Sequence, residues 1–202
     1  YMGDVGIVET KIIKLPLGKE GFKLERGGVL PEIQVAYETY GTMSPSKDNV
    51  VLVCHALTGD AHVAGRHSPQ DRKPGWWDNM VGPGKAIDTE KFFVVCSNVL
   101  GGCKGTTGPW SINPNTGKPY GIDFPEITIG DMVDVQYMLC RELGIEHLYA
   151  VIGGSMGGMQ VLEWSIRYPD FVKKAICIAS AESLSAQALA FDIIGRNMIM
   201  AD

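Results

Sequence analysis

The sequence predicts an α/β protein with a mostly parallel, doubly wound sheet that begins with antiparallel strands. Four short apolar runs have the composition of strands that are buried on both faces. Helical patterns separate the later runs, so helix, strand, helix and strand alternate between residues 128 and 180. Two N-terminal segments instead alternate apolar and polar residues. This pattern is typical of antiparallel strands with one solvent-exposed face.

The predicted elements follow one another without large gaps in the second half of the chain. The one-sided strands are predicted at 5–15 and 33–41, and the buried strands at 49–55, 92–98, 148–154 and 174–180. Between the last two buried strands lies one helix, 156–170, and another precedes them at 128–144. Thr128 and Asp131 form a cap-like start of that earlier helix, and Gly144 is a stop signal. A third apolar helical pattern fills residues 185–202.

Composition excludes several functional classes. The chain has 202 residues, 45% apolar and 20% charged, with a net charge of −5, which is ordinary for a globular domain and argues against a nucleic-acid binder. No apolar run approaches the roughly 20 residues that span a bilayer, and the first residues lack a charged segment followed by an apolar one, so we expect no secretory signal there. Five cysteines, an odd number without C-x-x-C spacing, favour a reducing compartment, so we expect a cytoplasmic protein.

The sequence gives no indication of a metal site. No set of cysteines and histidines has the spacing of zinc ligands. His62 and His67 lie five residues apart in a predicted loop, and we assign them no metal.

Two long loops lie where ligands bind in open α/β sheets, beyond the carboxyl ends of strands. Residues 56–84 and 99–127 are rich in Gly, Pro, Asn and Trp, and loops of this length in a compact domain are usually functional or disordered. Trp76, Trp77 and Trp110 are candidates for the walls of a site. Equally, each could anchor its loop as a buried aromatic residue.

Ser155 lies in a G-x-S-x-G pattern, residues 153–157, that follows a buried strand and opens a helix. This context is the one that a nucleophile elbow requires. The Met156 amide would then point toward the oxygen of a tetrahedral intermediate. A second amide is expected from the loop after the third strand, and Leu57 is the candidate. The alternative interpretation, that Leu57 is simply a buried apolar loop residue, is equally well supported by its position.

The general base is missing from this pattern. All four histidines precede Ser155, and His147 lies at the far end of the strand that leads to the serine. His55 lies at the correct end of its strand but better fits a role in supporting the oxyanion loop. In α/β-hydrolases the order along the chain is Ser, Asp or Glu, then His. Either the base lies outside these 202 residues or Ser155 is not catalytic.

Four motifs together resemble one enzyme family. They are "YETYG" (37–41), "CHALTGDAHVAG" (54–65), "GWWDNMVGPGKAIDTEKFFVVCSNVLGGCKGTTGP" (75–109) and "FPEITIGDMVDVQYMLCRELGIEHLYAVIGGSMGGMQVLEW" (124–164). In this order they are similar to homoserine O-acetyltransferases, and the similarity covers nearly the whole chain.

The resemblance implies an α/β-hydrolase-fold enzyme of methionine biosynthesis. Such an enzyme moves an acetyl group from acetyl-CoA, its co-substrate, to the hydroxyl of L-homoserine by a ping-pong route, with no bound cofactor. On the matching positions, Ser155 is the nucleophile, and Leu57 and Met156 supply the oxyanion-hole amides. The resemblance also implies a homodimer formed through a helical lid, with no membrane or nucleic-acid partner.

The resemblance further implies that part of the fold lies beyond this chain. Residues 1–182 correspond to the N-terminal part of the core domain and 183–202 to the start of the lid. The catalytic Asp and His, the final strands and most of the lid are expected after residue 202. Three alternatives stay open: succinyl-CoA as the donor, a serine hydrolase of the same fold, and a non-catalytic interaction domain.

Overall fold

A six-stranded sheet forms the centre of the fold in the computed structural model, which describes residues 3–201. Residues 1, 2 and 202, at the ends of the two predicted domain ranges, lie outside the described part. The strands are β1 (Lys11–Lys14), β2 (Gln34–Tyr40), β3 (Val50–Cys54), β4 (Phe93–Ser97), β5 (Ala150–Gly154) and β6 (Ala175–Ile178).

The strand order is β1-β2-β4-β3-β5-β6. Strands β3 to β6 are parallel, whereas β2 runs antiparallel to both β1 and β4. This confirms the predicted mostly parallel sheet with an antiparallel start. The predicted strand at 5–15 is shorter than expected, because its first half leaves the sheet and Ile7 forms an isolated bridge with Arg66 in the loop.

Within residues 3–201, three α-helices accompany the sheet: α1 (Ile129–Glu142), α2 (Met156–Arg167) and α3 (Ala186–Ala201). The cap predicted for α1 is a complete capping box, because the Thr128 side chain accepts from the Asp131 amide and the Asp131 carboxylate accepts from the Thr128 amide. Gly144 follows the helix with a φ of 71°, a backbone conformation that favours glycine.

Helices α1 and α2 pack together on one face of the sheet. Val133 of α1 and Trp164 of α2 are fully buried there against Leu52 and Val151 of the strands. Because both helices bury apolar stripes on the same sheet face, their relative position is fixed by the core. The start of α2 is thereby held at the carboxyl end of β5.

The opposite face of the sheet is covered by the loop at residues 56–84, called the long loop below, and not by a helix. Val63, Ala64 and Val81 of this loop pack with Val53 and Ile152 of the strands. The long loops carry short local pairings, found at Val81–Gly82 with Ile87–Asp88 and at Ile112–Asn113 with Lys118–Pro119, and a 3-10 turn at Gly121–Asp123. A further hairpin joins Phe22–Lys23 to Val29–Leu30.

One edge of the molecule is apolar and uncovered. Every residue of β6 is exposed, and no residue of α3 is buried within the described range. Phe191, Met198 and Met200 of α3 are all more than half exposed. Cys177 of β6 is therefore exposed too, although its apolar run predicts a buried strand.

All five cysteines are free in the described part of the chain. Cys54, Cys96 and Cys140 are buried, and burial raises the pKa of each thiol. These three thiols therefore act as small apolar core residues. No helix between residues 3 and 201 is both long enough and apolar enough to cross a membrane.

Candidate active site

Ser155 occupies a sharp turn between the end of β5 and the start of α2. Its φ of 55° and ψ of −122° are outside the regions that a residue with a side chain normally adopts. The turn is held because the Ser155 amide donates to the carbonyl of Ile178 on β6 at 3.1 Å. The side chain is exposed and does not cap the helix. This is the strained strand-turn-helix geometry expected of a nucleophile elbow.

Two glycines of the G-x-S-x-G pattern are required by close backbone contacts. A Cβ on Gly153 would lie 2.5 Å from the carbonyl oxygen of Gly157, and one on Gly157 would lie 2.1 Å from the carbonyl oxygen of Cys54. A Cβ on Gly154 would meet nothing closer than 3.7 Å. Gly153 and Gly157 thus let α2 approach β3, whereas the close contacts do not require glycine at position 154.

The two predicted oxyanion-hole residues lie on one cavity. Leu57 and Met156 both line a space of about 250 Å³, together with His55 and Asn98. Among residues 3–201, neither the Leu57 amide nor the Met156 amide donates to a backbone carbonyl. Helix α2 also lacks a side-chain cap, so the amide at its start is free for a ligand oxygen.

The side chain of Leu57 does not belong to the core. It is 77% exposed, which removes the alternative that Leu57 is a buried apolar loop residue. What the loop offers at this position is a backbone amide beside the cavity. The role of that amide as an oxyanion donor stays a prediction.

His55 fixes the loop that carries Leu57. The side chain is buried, its Nδ1 lies 2.7 Å from the Ala56 carbonyl oxygen, and its Nε2 accepts from the Val99 amide at 3.1 Å. Since Nε2 is an acceptor, Nδ1 carries the proton and donates to Ala56. Burial lowers the pKa of the imidazole, so the ring is neutral near pH 7. With both nitrogens engaged, His55 supports the loop and is not available as a base.

A buried chain of hydrogen bonds ties the same loop to both helices. Gln160 of α2 donates through Nε2 to the carbonyls of His55 and Met156 at 3.2 and 3.3 Å. Its Oε1 accepts from Gln136 of α1 at 2.7 Å, and Gln136 accepts in turn from the Trp164 indole at 2.8 Å. This network is not predicted from the sequence, where its only signal is two glutamines within apolar helix faces.

The other histidines are not placed to activate Ser155. His62 and His67 contact Glu38, and His147 is exposed before the amino end of β5, near Phe171. No histidine between residues 3 and 201 therefore acts as a base for Ser155, in agreement with the gap that the sequence indicates.

The tryptophans do not form the walls of this cavity. Trp76 stacks on Trp77 with ring centroids 5.4 Å apart and donates to the Asp60 carbonyl at 2.9 Å, so the pair anchors its loop. Trp110 is 79% exposed and lines a separate cavity of about 440 Å³ beside Tyr120. The glycine-rich segment after β4 lines the Leu57–Met156 cavity instead, from Gly101 to Lys104.

Glu38 on β2 is a fully buried carboxylate within a cluster of hydrogen-bond donors. Its oxygens accept from four side chains, those of Thr10, Tyr40, His62 and His67. Burial by itself raises the pKa of this carboxyl, but the four hydrogen bonds outweigh burial and hold the pKa below its ordinary value. Glu38 is therefore ionised at neutral pH, and its charge links β2 to the long loop.

The lowered pKa of Glu38 gives a pH-dependent prediction for Glu38→Gln. A depressed pKa in the folded state stabilises the protein above the unfolded-state value, about 4.3, and this stabilisation is lost as the pH falls further. We expect the variant to lose about 2–4 kcal/mol of unfolding free energy at pH 7, because buried donors lose a charged acceptor. The difference in unfolding free energy between the parent and Glu38→Gln should become smaller below about pH 4.

Urea unfolding from pH 3 to 8, with a chelator present, measures this difference. Glu126→Gln is the matched control, because Glu126 forms only an exposed pair with Arg26 and should change stability by less than about 0.5 kcal/mol. If the difference in unfolding free energy between the parent and Glu38→Gln did not change with pH, the conclusion that Glu38 is ionised with a lowered pKa would be contradicted.

Comparison with known proteins places the chain in a family. A family model described as the alpha/beta hydrolase fold matches residues 49–196, which include Ser155 and the loop that carries Leu57. The chain belongs to the α/β-hydrolase family. The predicted fold class is thereby confirmed.

Within the α/β-hydrolase family, the chain is similar to homoserine O-acetyltransferases, as its motifs predict. The homoserine O-acetyltransferase of Methanococcoides burtonii is 59% identical over 200 residues, or 98% of this chain and 40% of that protein. The crystal structure of homoserine O-acetyltransferase from Bacillus anthracis has a TM-score of 0.77 and 40% identity, covering 82% of this chain and 45% of that one.

A solved esterase is also similar to the chain. The crystal structure of esterase E22 gives a TM-score of 0.84 at 42% identity and covers 91% of this chain and 50% of that chain. The chain spans 40% to 52% of the length of the curated homoserine O-acetyltransferases that it matches.

Proposed function

We propose that the chain carries the nucleophile and the oxyanion hole of a homoserine O-acetyltransferase, which moves an acetyl group from acetyl-CoA to the hydroxyl of L-homoserine in methionine biosynthesis. The observation that carries this proposal is the strained, exposed Ser155 at the uncapped start of α2, beside a cavity lined by Leu57 and Met156. The 59% identity to a homoserine O-acetyltransferase supports this choice of reaction.

In the first half-reaction, the Ser155 hydroxyl attacks the thioester carbon of acetyl-CoA. A general base removes the hydroxyl proton as the carbon–oxygen bond forms, and the carbon–sulfur bond then breaks. The leaving thiolate receives that proton from the base. In this proposal an Asp–His pair beyond residue 202 supplies the base, in the family order of Ser, Asp and His.

In the second half-reaction, the hydroxyl of homoserine attacks the acetyl-serine ester. The base removes the proton from the incoming hydroxyl and returns it to Ser155 as the ester bond to the enzyme breaks. Acetyl-CoA is consumed as a co-substrate, and the reaction uses no bound cofactor.

The oxyanion of both tetrahedral intermediates would be stabilised by the backbone amides of Leu57 and Met156. Losing one such donor typically costs about 3–4 kcal/mol of transition-state stabilisation. The Met156 amide adds the positive end of the α2 dipole, which favours a negative oxygen at that point. The buried Gln160 side chain contributes by holding the two segments at a fixed separation, since it contacts the carbonyls of His55 and Met156.

The remainder of the active site is proposed to come from other parts of the complete polypeptide. Residues 183–202 would begin a helical lid, and the exposed apolar side chains of α3 suit a helix that packs on further chain. A homodimer formed through this lid, and a cytoplasmic location, belong to the same proposal.

A serine hydrolase is the second candidate, favoured by the likeness to esterase E22. The two functions differ only in whether an alcohol or water attacks the acetyl-serine. With acetyl-CoA and homoserine at millimolar concentration, we expect the complete polypeptide to form O-acetylhomoserine in large excess over acetate. Quantifying both products by NMR measures this partition.

Two further reaction conditions extend the product experiment. Omitting homoserine should leave a slow release of acetate, and replacing acetyl-CoA with succinyl-CoA identifies the donor. Acetate as the main product in the presence of homoserine would overturn the transferase proposal in favour of the hydrolase.

A further inference from the structure

A second cluster of ligand-type side chains lies away from Ser155. It consists of Glu38 from β2 and of His62 and His67 from the long loop. In the sheet, Glu38 is level with Cys96, Val53 and Ile152 on successive strands. Three strand spacings separate Glu38 from Ile152, about 14 Å. The cluster therefore belongs to a different part of the molecule from the elbow.

The three side chains converge on one point. Nδ1 of His62, Nε2 of His67 and the Glu38 carboxylate lie within 4.8 Å of one another. The nitrogens approach separate oxygens of Glu38, at 3.0 Å for His62 and 2.7 Å for His67. Ligands that share one zinc ion through bonds of about 2.1 Å are themselves roughly 3 to 3.5 Å apart. The two nitrogen–oxygen contacts would thus need to lengthen only slightly to admit an ion.

The charge balance at the cluster favours a cation. Glu38 is fully buried, and in the described range no lysine or arginine forms an ion pair with it; its carboxylate contacts the two histidines instead. A buried carboxylate is costly unless it is paired or coordinates a metal. Two imidazoles and one carboxylate form a donor set that divalent transition metals bind in proteins.

The surroundings of Glu38 would orient it as a ligand. The Tyr40 hydroxyl donates to Oε2 at 2.6 Å and the Thr10 hydroxyl to Oε1 at 2.7 Å. The Tyr40 oxygen is itself fixed, because it accepts from the Val63 amide at 2.8 Å. Hydrogen bonds of this kind to a ligating carboxylate hold it in place and tune the metal. The side chain of His67 is 45% exposed, which gives an ion access from solvent.

Although the spacing of the two histidines in the sequence indicates no metal, we propose that Glu38, His62 and His67 bind one divalent transition-metal ion, with Zn²⁺ as the best match to the donor set. Each imidazole coordinates the ion through the nitrogen that faces Glu38 and carries its proton on the other ring nitrogen, and water completes the coordination. Its place between β2 and the long loop gives it a structural role: it fastens the loop that covers one sheet face.

Zinc binding to the complete polypeptide, after removal of metals by a chelator, tests the proposal. Isothermal titration with Zn²⁺ alone at pH 7.5 should show a site that His62→Gln and His67→Gln each weaken at least about tenfold. His147→Gln is the matched control and should bind as the parent does, because His147 is an exposed histidine outside the cluster. Circular dichroism establishes that each variant is folded.

A second measurement needs no variant. Zn²⁺ should protect His62 and His67, but not His147, from carbethoxylation, as read by peptide mass spectrometry. Binding that is equally tight in the parent and in both cluster variants would overturn the proposal. So would a parent protein with no zinc site and no protection, which would leave a hydrogen-bonded cluster only. Neither result depends on acetyl transfer, so the proposed function is tested separately.

Discussion

Replacing Ser155 with alanine in the complete polypeptide is expected to lower kcat for acetyl transfer by at least about 10⁴-fold. The variant lacks the oxygen that carries the acetyl group, and neither half-reaction has another path of similar rate. Stability should stay within about 1 kcal/mol of the parent, because the exposed side chain of Ser155 caps nothing. Steady-state kinetics and thermal unfolding measure the two effects.

Ser165→Ala on the same helix is the matched control for this variant. The Ser165 hydroxyl only donates to the Val161 carbonyl within α2, so its loss should leave kcat near the parent value. Mass spectrometry of the parent, mixed with acetyl-CoA alone, should find the acetyl group on the peptide that contains Ser155. Transfer by Ser155→Ala near the parent rate would show that the elbow is not catalytic.

Gly157→Ala is expected to have the second-largest effect. The new methyl group would lie 2.1 Å from the Cys54 carbonyl oxygen, so α2 must move away from β3. Overpacking of this kind costs about 1–3 kcal/mol, and contact with rigid backbone is at the upper end. The movement also displaces the Met156 amide from the Leu57 amide, and misplacement by about 1 Å can cost 10²-fold in rate. We therefore expect losses in both stability and kcat/KM.

Gly154→Ala is the matched control for this steric effect, because it replaces another glycine of the same turn without creating a close contact. The position lies in the same turn, yet a methyl group there would meet nothing closer than 3.7 Å. Its unfolding free energy should stay within about 1 kcal/mol of the parent value. Equal unfolding midpoints and equal kcat/KM for the two variants would contradict the close packing of α2 on β3.

The elbow and the cap of α1 could be predicted because their determinants are local. Ser155 is framed by glycines, a buried strand and a helix within a few residues, and Thr128 pairs with Asp131 across a single helical turn. The apolar runs also indicated the sheet, since burial on both faces leaves a continuous apolar pattern.

Features made by distant residues could not be predicted in the same way. Glu38 precedes His62 by 24 residues, and nothing in "YETYG" indicates that its carboxylate turns toward the long loop. Gln160 likewise contacts His55 across 105 residues. The predicted strand at 5–15 was too long because alternation alone does not reveal that its first half pairs with a loop.

The amides beside the cavity belong to the main chain, and adjacent strands set their separation, since Cys54 of β3 is level with Gly153 of β5. Any residue except proline provides the same N–H group at positions 57 and 156. The exposed Leu57 side chain is therefore free to vary without loss of that donor. Directed evolution of acceptor preference could thus begin at Leu57 and in the glycine-rich segment after β4, while the elbow and its backbone contacts are left untouched.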